Sequence, residues 1–302
     1  MKCKVCKTTA VVSLPSHNTG FCADCFMSFY ERSVERSIRR QKLFTFEDKI
    51  LVALSGGKDS LACAIVLKKL GYKIHGLHID LGIPESSVAA RGVVERFCAT
   101  HEIPLIVKEM EEENLQIPRV KKVLSRSVCS ACGRIKRYFF NKVAMDEGFT
   151  ALATGHNLDD EVARLFSNTL RWDIPHLSDQ GPLLEAENGF ARKVRPLYRL
   201  TEFENANYAF LNGLEYHYAP CPYSPGATST AYKKLWNQLE EEMPGRKLAF
   251  YTAFLAHGRE PFRQSDKEEG TKPVPCDRCG YPTSAGTCGV CRTRDAVAND
   301  DE

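Results

Sequence analysis

A short apolar segment that runs directly into a glycine-rich loop constrains this chain more than any other part of its sequence. Residues 49–54 read KILVAL, which predicts a buried strand, and residues 55–60 read SGGKDS. An amphipathic stretch from Asp59 to Leu70 then predicts a helix. Glycines in such a turn let backbone N–H groups face an anion, and the start of the helix adds a favourable dipole. The segment therefore predicts a phosphate-binding site.

This loop is not a Walker loop. A Walker loop needs an earlier glycine, with four residues between it and the Gly-Lys pair, and a Ser or Thr directly after the lysine. Here the earlier position holds Val52, and Asp59 follows Lys58. The sequence therefore indicates a phosphate loop of another kind.

The chain continues to alternate strand and helix patterns through its body. Further strands are predicted at 73–79, 104–107 and 150–154, and further helices at 88–100, 133–147, 158–170, 201–212 and 228–243, with a loop-rich stretch at 173–189. This alternation predicts an α/β fold, a doubly wound parallel sheet with helices on both faces. Ligands of such sheets bind beyond the carboxyl ends of the strands.

A length of 302 residues suits one large domain with small appendages. We expect a metal module at 1–26, a basic helical connector at 27–48, a catalytic domain at 49–257, a polar linker at 258–275 and a second metal module with a tail at 276–302. Phe29, Val34 and Ile38 form a candidate apolar stripe on the connector.

The cysteines indicate metals rather than disulfides. No apolar signal core follows the N-terminus and no run of about 18 apolar residues occurs, so we expect a cytoplasmic protein without a membrane span. Thiols stay reduced in that compartment, which leaves metal binding as the use of most of the 13 cysteines. Cys63 and Cys98 lie in apolar helical patterns and are expected to pack in the core.

Two cysteine pairs at each end of the chain are typical of structural zinc sites. The N-terminal pairs are 15 residues apart and the C-terminal pairs 8 residues apart. Each set offers four thiolates for tetrahedral zinc, which would stabilise modules too small to fold on a core alone. The ligands are Cys3, Cys6, Cys22 and Cys25 in one zinc ribbon and Cys276, Cys279, Cys288 and Cys291 in the other.

The role of these ribbons stays open between gripping RNA and bracing the body. Tyr281, Arg278, Arg292 and Arg294 are the candidate RNA contacts. His17 lies between the first two cysteine pairs, but four thiolates are already present, so it is not expected to bind the metal.

Three central cysteines, Cys129, Cys132 and Cys221, allow three interpretations. They could hold an iron–sulfur cluster, act as redox thiols, or bind zinc with His217 as the fourth ligand. Clusters normally take four thiolates, so three would leave one iron open to hold another sulfur. Spacing alone leaves all three interpretations open.

A run of eight basic residues surrounds the first two of these cysteines. No Asp or Glu interrupts it between Leu115 and Lys142, although the net charge of the chain is only +3. Such a run is either a solvated helix face or a surface for an anionic substrate, and its place beside the cysteine pair favours the substrate. Its members are Arg119, Lys121, Lys122, Arg126, Arg134, Lys136, Arg137 and Lys142.

Two resemblances extend this interpretation. The SGGKDS loop resembles the PP-loop of ATP pyrophosphatases, which cleave ATP between the α- and β-phosphates and adenylate a substrate oxygen. The segments CSACG (129–133), KRY (136–138), ATGHNLDDE (153–161) and CDRCGYPT (276–283) are similar to those of the TtuA-type tRNA 2-thiouridine synthetases. This second resemblance covers nearly the whole chain and implies an ATP-dependent tRNA-uridine 2-sulfurtransferase.

The resemblance also assigns roles to single residues. It implies a [4Fe–4S] cluster on Cys129, Cys132 and Cys221, which take part in catalysis, and catalytic roles for Lys136 and Asp160. Asp160 on its own would be an acid at a helix start after Asn157. Asp59 and Asp159 are candidates to help hold Mg²⁺. The residues assigned to ATP are Ala53, Ser55, Gly56, Gly57, Lys58, Asp59, Ser60, His78, Ile79, Lys136 and Gly155.

The implied reaction has two stages. ATP adenylates the O2 atom of a uridine and releases pyrophosphate, and a sulfur held by the cluster then attacks C2 and expels AMP. The implied partners are tRNA and a sulfur donor, either a thiocarboxylated ubiquitin-like protein or sulfide, and a homodimer is expected. The T-loop uridine is the expected target. The alternatives are the wobble uridine, cytidine thiolation by a related family, and a zinc-ribbon RNA-binding or redox protein with an inactive ATP site.

Overall fold

The computed structural model describes residues 1–124, 128–224, 228–263 and 273–300. The strands are β1 (Val12–Leu14), β2 (Thr19–Phe21), β3 (Ile50–Ala53), β4 (Ile74–Asp80), β5 (Leu105–Glu109), β6 (Ala151–Thr154), β7 (Leu183–Leu184), β8 (Lys193–Val194), β9 (Val274–Pro275) and β10 (Pro282–Thr283). The helices are α1 (Ala23–Gln41), α2 (Lys58–Lys69), α3 (Ser86–Thr100), α4 (Ile117–Val123), α5 (Val128–Asp146), α6 (Leu158–Arg171), α7 (Ile174–Ser178), α8 (Glu202–Leu211), α9 (Thr228–Glu242), α10 (Arg246–Ala253) and α11 (Gly289–Asp300).

A mostly parallel sheet forms the centre of the chain. In the described ranges it has six strands in the order β5-β4-β3-β6-β8-β7, and only β7 runs antiparallel to its neighbour. The predicted parallel α/β fold is therefore confirmed. The phosphate loop follows β3, near the middle of the sheet, where the strand order reverses between β4 and β6. Such a reversal is where ligands of this fold class bind.

Both faces of the sheet are covered, as the apolar strands predict. Ile50 and Val52 of β3 face a core built with α1, α2 and α3, whereas Leu51 faces a second core built with α4, α5 and α11. Cys63 and Cys98 are buried in the first core, which confirms the expectation that they pack there. None of the described helices has the length and apolarity needed to span a bilayer.

Several boundaries differ from the sequence expectation. Helix α1 begins at Ala23, so Cys25 lies in its first turn and the expected break between metal module and connector falls inside a helix. Val34 and Ile38 are buried on α1 as predicted, but Phe29 is only partly buried, and Phe26 and Tyr30 complete the buried face.

Several short helices and strands were not predicted from the sequence. The stretch 173–189, predicted as loop, contains α7 and β7, and the seven-residue α4 was not predicted. Helical backbone continues to residue 263, inside the predicted linker, and residues 264–272 lie outside the described residues.

Candidate active site

The phosphate loop is held in shape by its own two serines. Ser60 Oγ donates to the Gly57 carbonyl at 2.8 Å and accepts from the Ser55 backbone N–H at 3.2 Å. Gly56 has a φ of +81°, and a Cβ there would lie 3.0 Å from the Ala90 carbonyl oxygen, so only glycine suits this position. The N–H groups of Lys58 and Asp59 at the start of α2 meet no acceptor in the described part of the chain. They remain available to an anion.

Gly155 packs so closely against this loop that there is no room for a side chain. A Cβ on Gly155 would lie 2.6 Å from the Asp59 carbonyl oxygen and 2.8 Å from the Ser60 Cα. Both of these are backbone atoms and cannot move aside as a flexible side chain could. The residue predicted to contact ATP therefore also sets how closely the segment after β6 approaches the loop.

Asp59 is a junction between the phosphate loop and two other segments. Its Oδ1 accepts from the amides of Asn157, at 3.1 Å, and Asn205, at 2.7 Å. Its Oδ2 accepts from Lys58 Nζ at 3.1 Å. Asn205 in turn accepts from Tyr30 Oη of α1 at 2.8 Å. The N-terminal module is thus connected to the loop through one buried chain of hydrogen bonds.

An ion-pair network joins the loop to the acidic start of α6. Lys58 Nζ lies 2.8 Å from a Glu202 carboxylate oxygen, and Lys233 of α9 contacts both Glu202, at 3.3 Å, and Asp160, at 2.6 Å. Burial would raise the pKa of Asp160, but the Lys233 ammonium overrides it and holds that pKa below its ordinary value. Asp160 is therefore a carboxylate at neutral pH.

Asp160 also caps α6 together with Asn157. Its backbone N–H donates to Asn157 Oδ1, and its carboxylate accepts from the Asn157 N–H, both at 3.1 Å. This reciprocal capping box accounts for an acid at this helix start. The catalytic role that the resemblance implies for Asp160 remains a prediction beside this structural role.

Asp159 does not fit the suggested magnesium site. It is 5% exposed, its Oδ1 is paired with the Lys247 ammonium, and its Oδ2 accepts from the Glu202 N–H at 2.7 Å. An ammonium group beside the carboxylate would repel a divalent cation. Asp159 thus anchors α8 and α10 instead, and the magnesium role of Asp59 stays a prediction.

His78 lies beside the last residues before the phosphate loop, and Lys136 lies one helical turn after Cys132 on α5. His78 is buried on β4, and its Nδ1 lies 2.8 Å from the Leu54 carbonyl oxygen, while its Nε2 has no partner in the described residues. Burial lowers the pKa of His78, and the Lys136 ammonium adds to that effect, so the imidazole is neutral. Ile79 is the next residue of β4, and Ala53 ends β3 beside Leu77 of the same strand.

The three central cysteines are brought together by α5 and one loop. Cys129 and Cys132 lie in the first turns of α5, and Cys129 Sγ donates to the Tyr223 carbonyl at 3.1 Å, two residues after Cys221. Burial raises the pKa of the Cys132 thiol, and Lys136, one turn further along α5, opposes that shift. In the same loop the His217 N–H donates to the Gly56 carbonyl at 2.8 Å. Residues 217–223 therefore contact both the phosphate loop and the cysteine pair.

The spacing of the thiols distinguishes two kinds of site. In each terminal set all four sulfurs lie within 4.8 Å of one another, and individual pairs measure 3.5, 3.8 and 4.0 Å. Tetrahedral zinc with bonds of about 2.3 Å places thiolates about 3.8 Å apart, so both terminal sets fit zinc. Within the described residues no other group of three metal-ligating side chains is as close.

The three central thiols do not all lie within 4.8 Å of one another, unlike the thiols of the terminal sets. A cluster takes each cysteine on a separate iron, which suits such wider spacing. His217, the fourth ligand of the zinc alternative, directs Nε2 towards Ser86 Oγ at 3.5 Å. The donor set therefore fits an iron–sulfur cluster better than zinc.

The C-terminal ribbon braces the body. Arg294 is paired with Glu113 at 2.6 Å and Arg278 is paired with Asp295, so these two candidate RNA contacts are engaged within the chain. The Cys288 N–H donates to Cys276 Sγ at 3.2 Å and lowers the pKa of that thiol to about 6, which favours the thiolate that binds a metal. Cys276, Cys288 and Cys291 belong to the same core as α5.

Comparison with known proteins identifies the family. A family model of the PP-loop domain matches residues 30–225, and one of the N-terminal LIM domain of the 2-thiouridine synthetase TtuA matches residues 2–27. The chain is 42% identical to the tRNA-5-methyluridine(54) 2-sulfurtransferase of Thermus thermophilus over 298 residues, which are 98% of this chain and 92% of that protein. It is 43% identical to the protein of the same name from Pyrococcus horikoshii over 293 residues, or 97% and 93% of the two chains. The chain belongs to the TtuA family of PP-loop tRNA 2-sulfurtransferases.

A solved structure supports the fold of this TtuA-family chain. It is similar to the U34-tRNA thiolase NcsA from Methanococcus maripaludis, solved with its [4Fe–4S] cluster, with a TM-score of 0.79 and 25% sequence identity. The match covers 98% of this chain and 96% of that one. These matches confirm the family that was predicted from the PP-loop, the central cysteines and the terminal cysteine pairs.

Sequence reasoning missed several residues of the TtuA-family site. Asn205, Glu202, Lys233 and Lys247 hold the acidic residues around the loop, yet they lie in ordinary helical patterns. Neither Glu202 nor Lys247 belongs to a recognisable sequence motif. The one available signal was that both follow the loop-rich region, in a part of the chain that packs on the sheet.

Proposed function

We propose that this chain is an ATP-dependent tRNA 2-sulfurtransferase that acts on the T-loop uridine at position 54. The observation that carries the proposal is the loop 217–223, which contacts Gly56 at one end and the Cys129 thiol at the other. A nucleotide bound at the phosphate loop would thus lie next to the three thiols. That arrangement suits a substrate that is first activated by ATP and then attacked by sulfur.

The residues around the loop account for the activation stage. Free N–H groups at the start of α2 and the Lys58 ammonium would bind the phosphates of ATP. His78 and Ile79 would lie against the adenine, and Lys136 would offset charge on the phosphate that is transferred. The uridine O2 attacks the α-phosphate, pyrophosphate leaves, and the C2–O bond gains a good leaving group.

The three cysteines account for the sulfur stage. When bound, a [4Fe–4S] cluster held by Cys129, Cys132 and Cys221 would supply an iron with a free position for sulfur. Asp160, ionised beside Lys233, would act on the reacting groups as a general base. Sulfur takes the place of the adenylated oxygen at C2, and AMP is released.

The choice of uridine follows the relatives. Two proteins that match nearly the whole chain at 42% and 43% identity are named for 5-methyluridine 54, whereas the solved neighbour named for U34 is 25% identical. We therefore place the wobble uridine second. We also propose that the protein is a cytoplasmic homodimer, and that it receives sulfur from a thiocarboxylated ubiquitin-like protein or from sulfide. The proposed domain limits are those given above, except that α1 is shared between the N-terminal metal module and the connector.

Nucleoside mass spectrometry tests this function directly. Purified chain, ATP, sulfide and unmodified tRNA are incubated without oxygen, and the tRNA is digested and analysed. We expect 2-thiouridine derivatives in fragments that contain position 54, with AMP and pyrophosphate formed alongside. Thiolation confined to position 34 would favour the wobble alternative, and no thiolation in any fragment would contradict the proposal.

Metal content is the second prediction. Because two sets of four thiolates fit zinc and the central trio fits a cluster, anaerobically prepared protein should hold about two zinc and about four iron atoms per chain. Elemental analysis and the visible spectrum measure both. Zinc alone, with no brown chromophore after anaerobic reconstitution, would contradict the cluster assignment.

The basic run gives the third prediction. Lys121 and Lys122 are exposed on α4, and Lys121 lies over the Tyr223 ring, 5.2 Å from its centroid and close to Cys221. We expect the run to follow the tRNA backbone, so Lys121→Gln with Lys122→Gln should weaken tRNA binding. The slope of log K against log salt should fall by about two, one for each lost phosphate contact. Arg126, a further member of the run, lies outside the described residues.

A charge-matched control lies at the opposite edge of the sheet. Lys49 and Lys73 are exposed at the amino ends of β3 and β4, away from the phosphate loop. Lys49→Gln with Lys73→Gln should therefore leave both the affinity and the salt slope close to the wild-type values. Equal effects of the two double variants would show that the run 119–142 is an ordinary solvated surface.

A further inference from the structure

A crevice of about 230 Å³ lies where α5, the segment before β8 and the C-terminal ribbon meet. Three cations line it, together with three aromatic rings and the first residues of α11. The cations come from different parts of the chain, two from α5 and one from β8. The lining residues used below are Arg134, Arg137, Lys193, Tyr138, Phe190 and Tyr281.

The cations of the crevice lack the carboxylate partners that their neighbours have. Arg192 is paired with Glu185, and Arg195 with Glu161, on either side of Lys193. Among the described residues, no carboxylate is paired with Lys193, Arg134 or Arg137. Burial lowers the pKa of Lys193, and repulsion by Arg137 and Arg195 adds to the shift, while the Asp179 carboxylate opposes it. Three cations that line one crevice without a paired carboxylate indicate that an anion binds there.

The aromatic rings give the crevice an apolar surface beside its cations. Phe190 and Tyr281 are partly exposed, with their centroids 5.8 Å apart and their planes at 85°. Lys193 Nζ lies 5.1 Å from the Phe190 centroid, and Tyr281 is backed by the buried Tyr138 at 4.6 Å. Unstacked bases of RNA bind to such rings, while cations at the same place bind the phosphates.

The crevice is formed before any ligand arrives. The buried Asn141 side chain donates to the Gly189 carbonyl at 3.1 Å and accepts from the Ala191 N–H at 2.7 Å, which fixes the segment around Phe190 on α5. The pairing of Arg294 with Glu113 fixes α11 on the other side. A rigid crevice costs little ordering when it binds a ligand.

The crevice lies beside the sulfur site. Arg134 and Arg137 line the crevice and lie on α5, two and five residues after Cys132. A nucleotide in the crevice would therefore be near a uridine held at the three cysteines. The start of α11, with the positive end of its dipole, also lines the crevice and favours a phosphate.

We propose that this crevice binds one unpaired nucleotide of the tRNA adjacent to the target uridine, with its phosphate on Arg134, Arg137 and Lys193 and its base against Phe190 and Tyr281. This inference rests on the proposed tRNA thiolation. It gives the C-terminal ribbon a part in substrate binding as one wall of the site. The nucleotide is unpaired because a base inside a duplex cannot reach a ring.

Two single variants test the two halves of the crevice. Phe190→Leu removes the ring but keeps an apolar side chain, and should weaken tRNA binding about 5- to 160-fold, the range for one base stacked on an aromatic ring. Lys193→Gln should weaken binding and lower the salt slope by about one. The KM for ATP should stay within about twofold of wild type in both. Affinity is measured with unmodified tRNA over a salt series.

Matched controls are available outside the crevice. Phe210 is 80% exposed on α8, and Lys73 is exposed just before β4, at the end of the strands away from the phosphate loop. Phe210→Leu and Lys73→Gln should bind tRNA as the wild type does. Wild-type affinity and salt slope in Phe190→Leu and Lys193→Gln would overturn the inference.

Ultraviolet crosslinking gives a measurement on the unaltered chain, in case a variant folds poorly. Mass spectrometry of the crosslinked peptides should find a nucleotide on the segment with Phe190 or on the one with Tyr281. Crosslinks confined to other segments would overturn the inference. A chain that crosslinks in the crevice but thiolates no tRNA would support the crevice and overturn the proposed function, so the two failures are distinguishable.

Discussion

Cys221→Ala should abolish tRNA thiolation while ATP still binds. The expected loss is at least about 100-fold in thiolated tRNA per enzyme, because one of three thiolates that fix a cluster is removed. The phosphate loop should stay intact, since it is held by Ser55, Ser60 and Asp59 rather than by the thiol. Nucleoside mass spectrometry under anaerobic conditions with ATP and sulfide measures the first effect, and equilibrium ATP binding measures the second.

Cys98→Ala is the matched control for this variant. Burial raises the pKa of Cys98 to about 11, so its thiol stays protonated at neutral pH. The reactive form of cysteine is the thiolate, so Cys98 is expected to be inert. The substitution should lower stability by about 1 kcal/mol and leave turnover unchanged. If Cys221→Ala thiolated tRNA at the wild-type rate, sulfur would not pass through the three-cysteine site and the mechanism would be wrong.

Gly155→Ala should have the second largest effect, on the use of ATP. The added Cβ would meet the Asp59 carbonyl oxygen at 2.6 Å, so either the segment after β6 or the phosphate loop must shift. A displacement of about 1 Å at reacting groups can lower the rate by about 100-fold. We expect a fall of that order in kcat/KM for ATP, measured by pyrophosphate release in the presence of tRNA, with the metal content unchanged.

Gly92→Ala separates steric crowding from the mere loss of a glycine. Gly92 lies inside α3, where an added Cβ would contact only the mobile end of Arg96, at 3.3 Å. The change should stabilise the helix by up to about 1 kcal/mol and leave the rate as it is. Wild-type pyrophosphate release by Gly155→Ala would show that the loop tolerates the shift.

The parts of this fold that the sequence predicted are those with a strong local signal. Strands β3 to β6 were placed within about two residues because each is a short apolar run bounded by helix or turn signals. The site residues that were predicted belong to motifs, such as the phosphate loop and the paired cysteines. Their local geometry follows from the spacing of the residues along the chain.

The parts that were not predicted depend on contacts far apart in the sequence. Asp59 and Asn205 are 146 residues apart, and Lys247 and Asp159 are 88 residues apart. The residues next to Asn205 and Lys247 in the sequence do not indicate that Asp59 and Asp159 are their partners. The two-residue strands β7 and β8 carry too few residues for any periodicity, so only tertiary pairing defines them.

Each cysteine ribbon is connected to a different part of the site. The first is connected to the phosphate loop through α1, where Tyr30 donates to Asn205 and Asn205 donates to Asp59. The second shares its core with the helix that carries Cys129 and Cys132. Zinc starvation should therefore lower tRNA thiolation even in a cell with ample iron, because the helix that carries Cys129 and Cys132 would lose the packing of the second ribbon. The sulfur content of tRNA would then report on the supply of two metals at once.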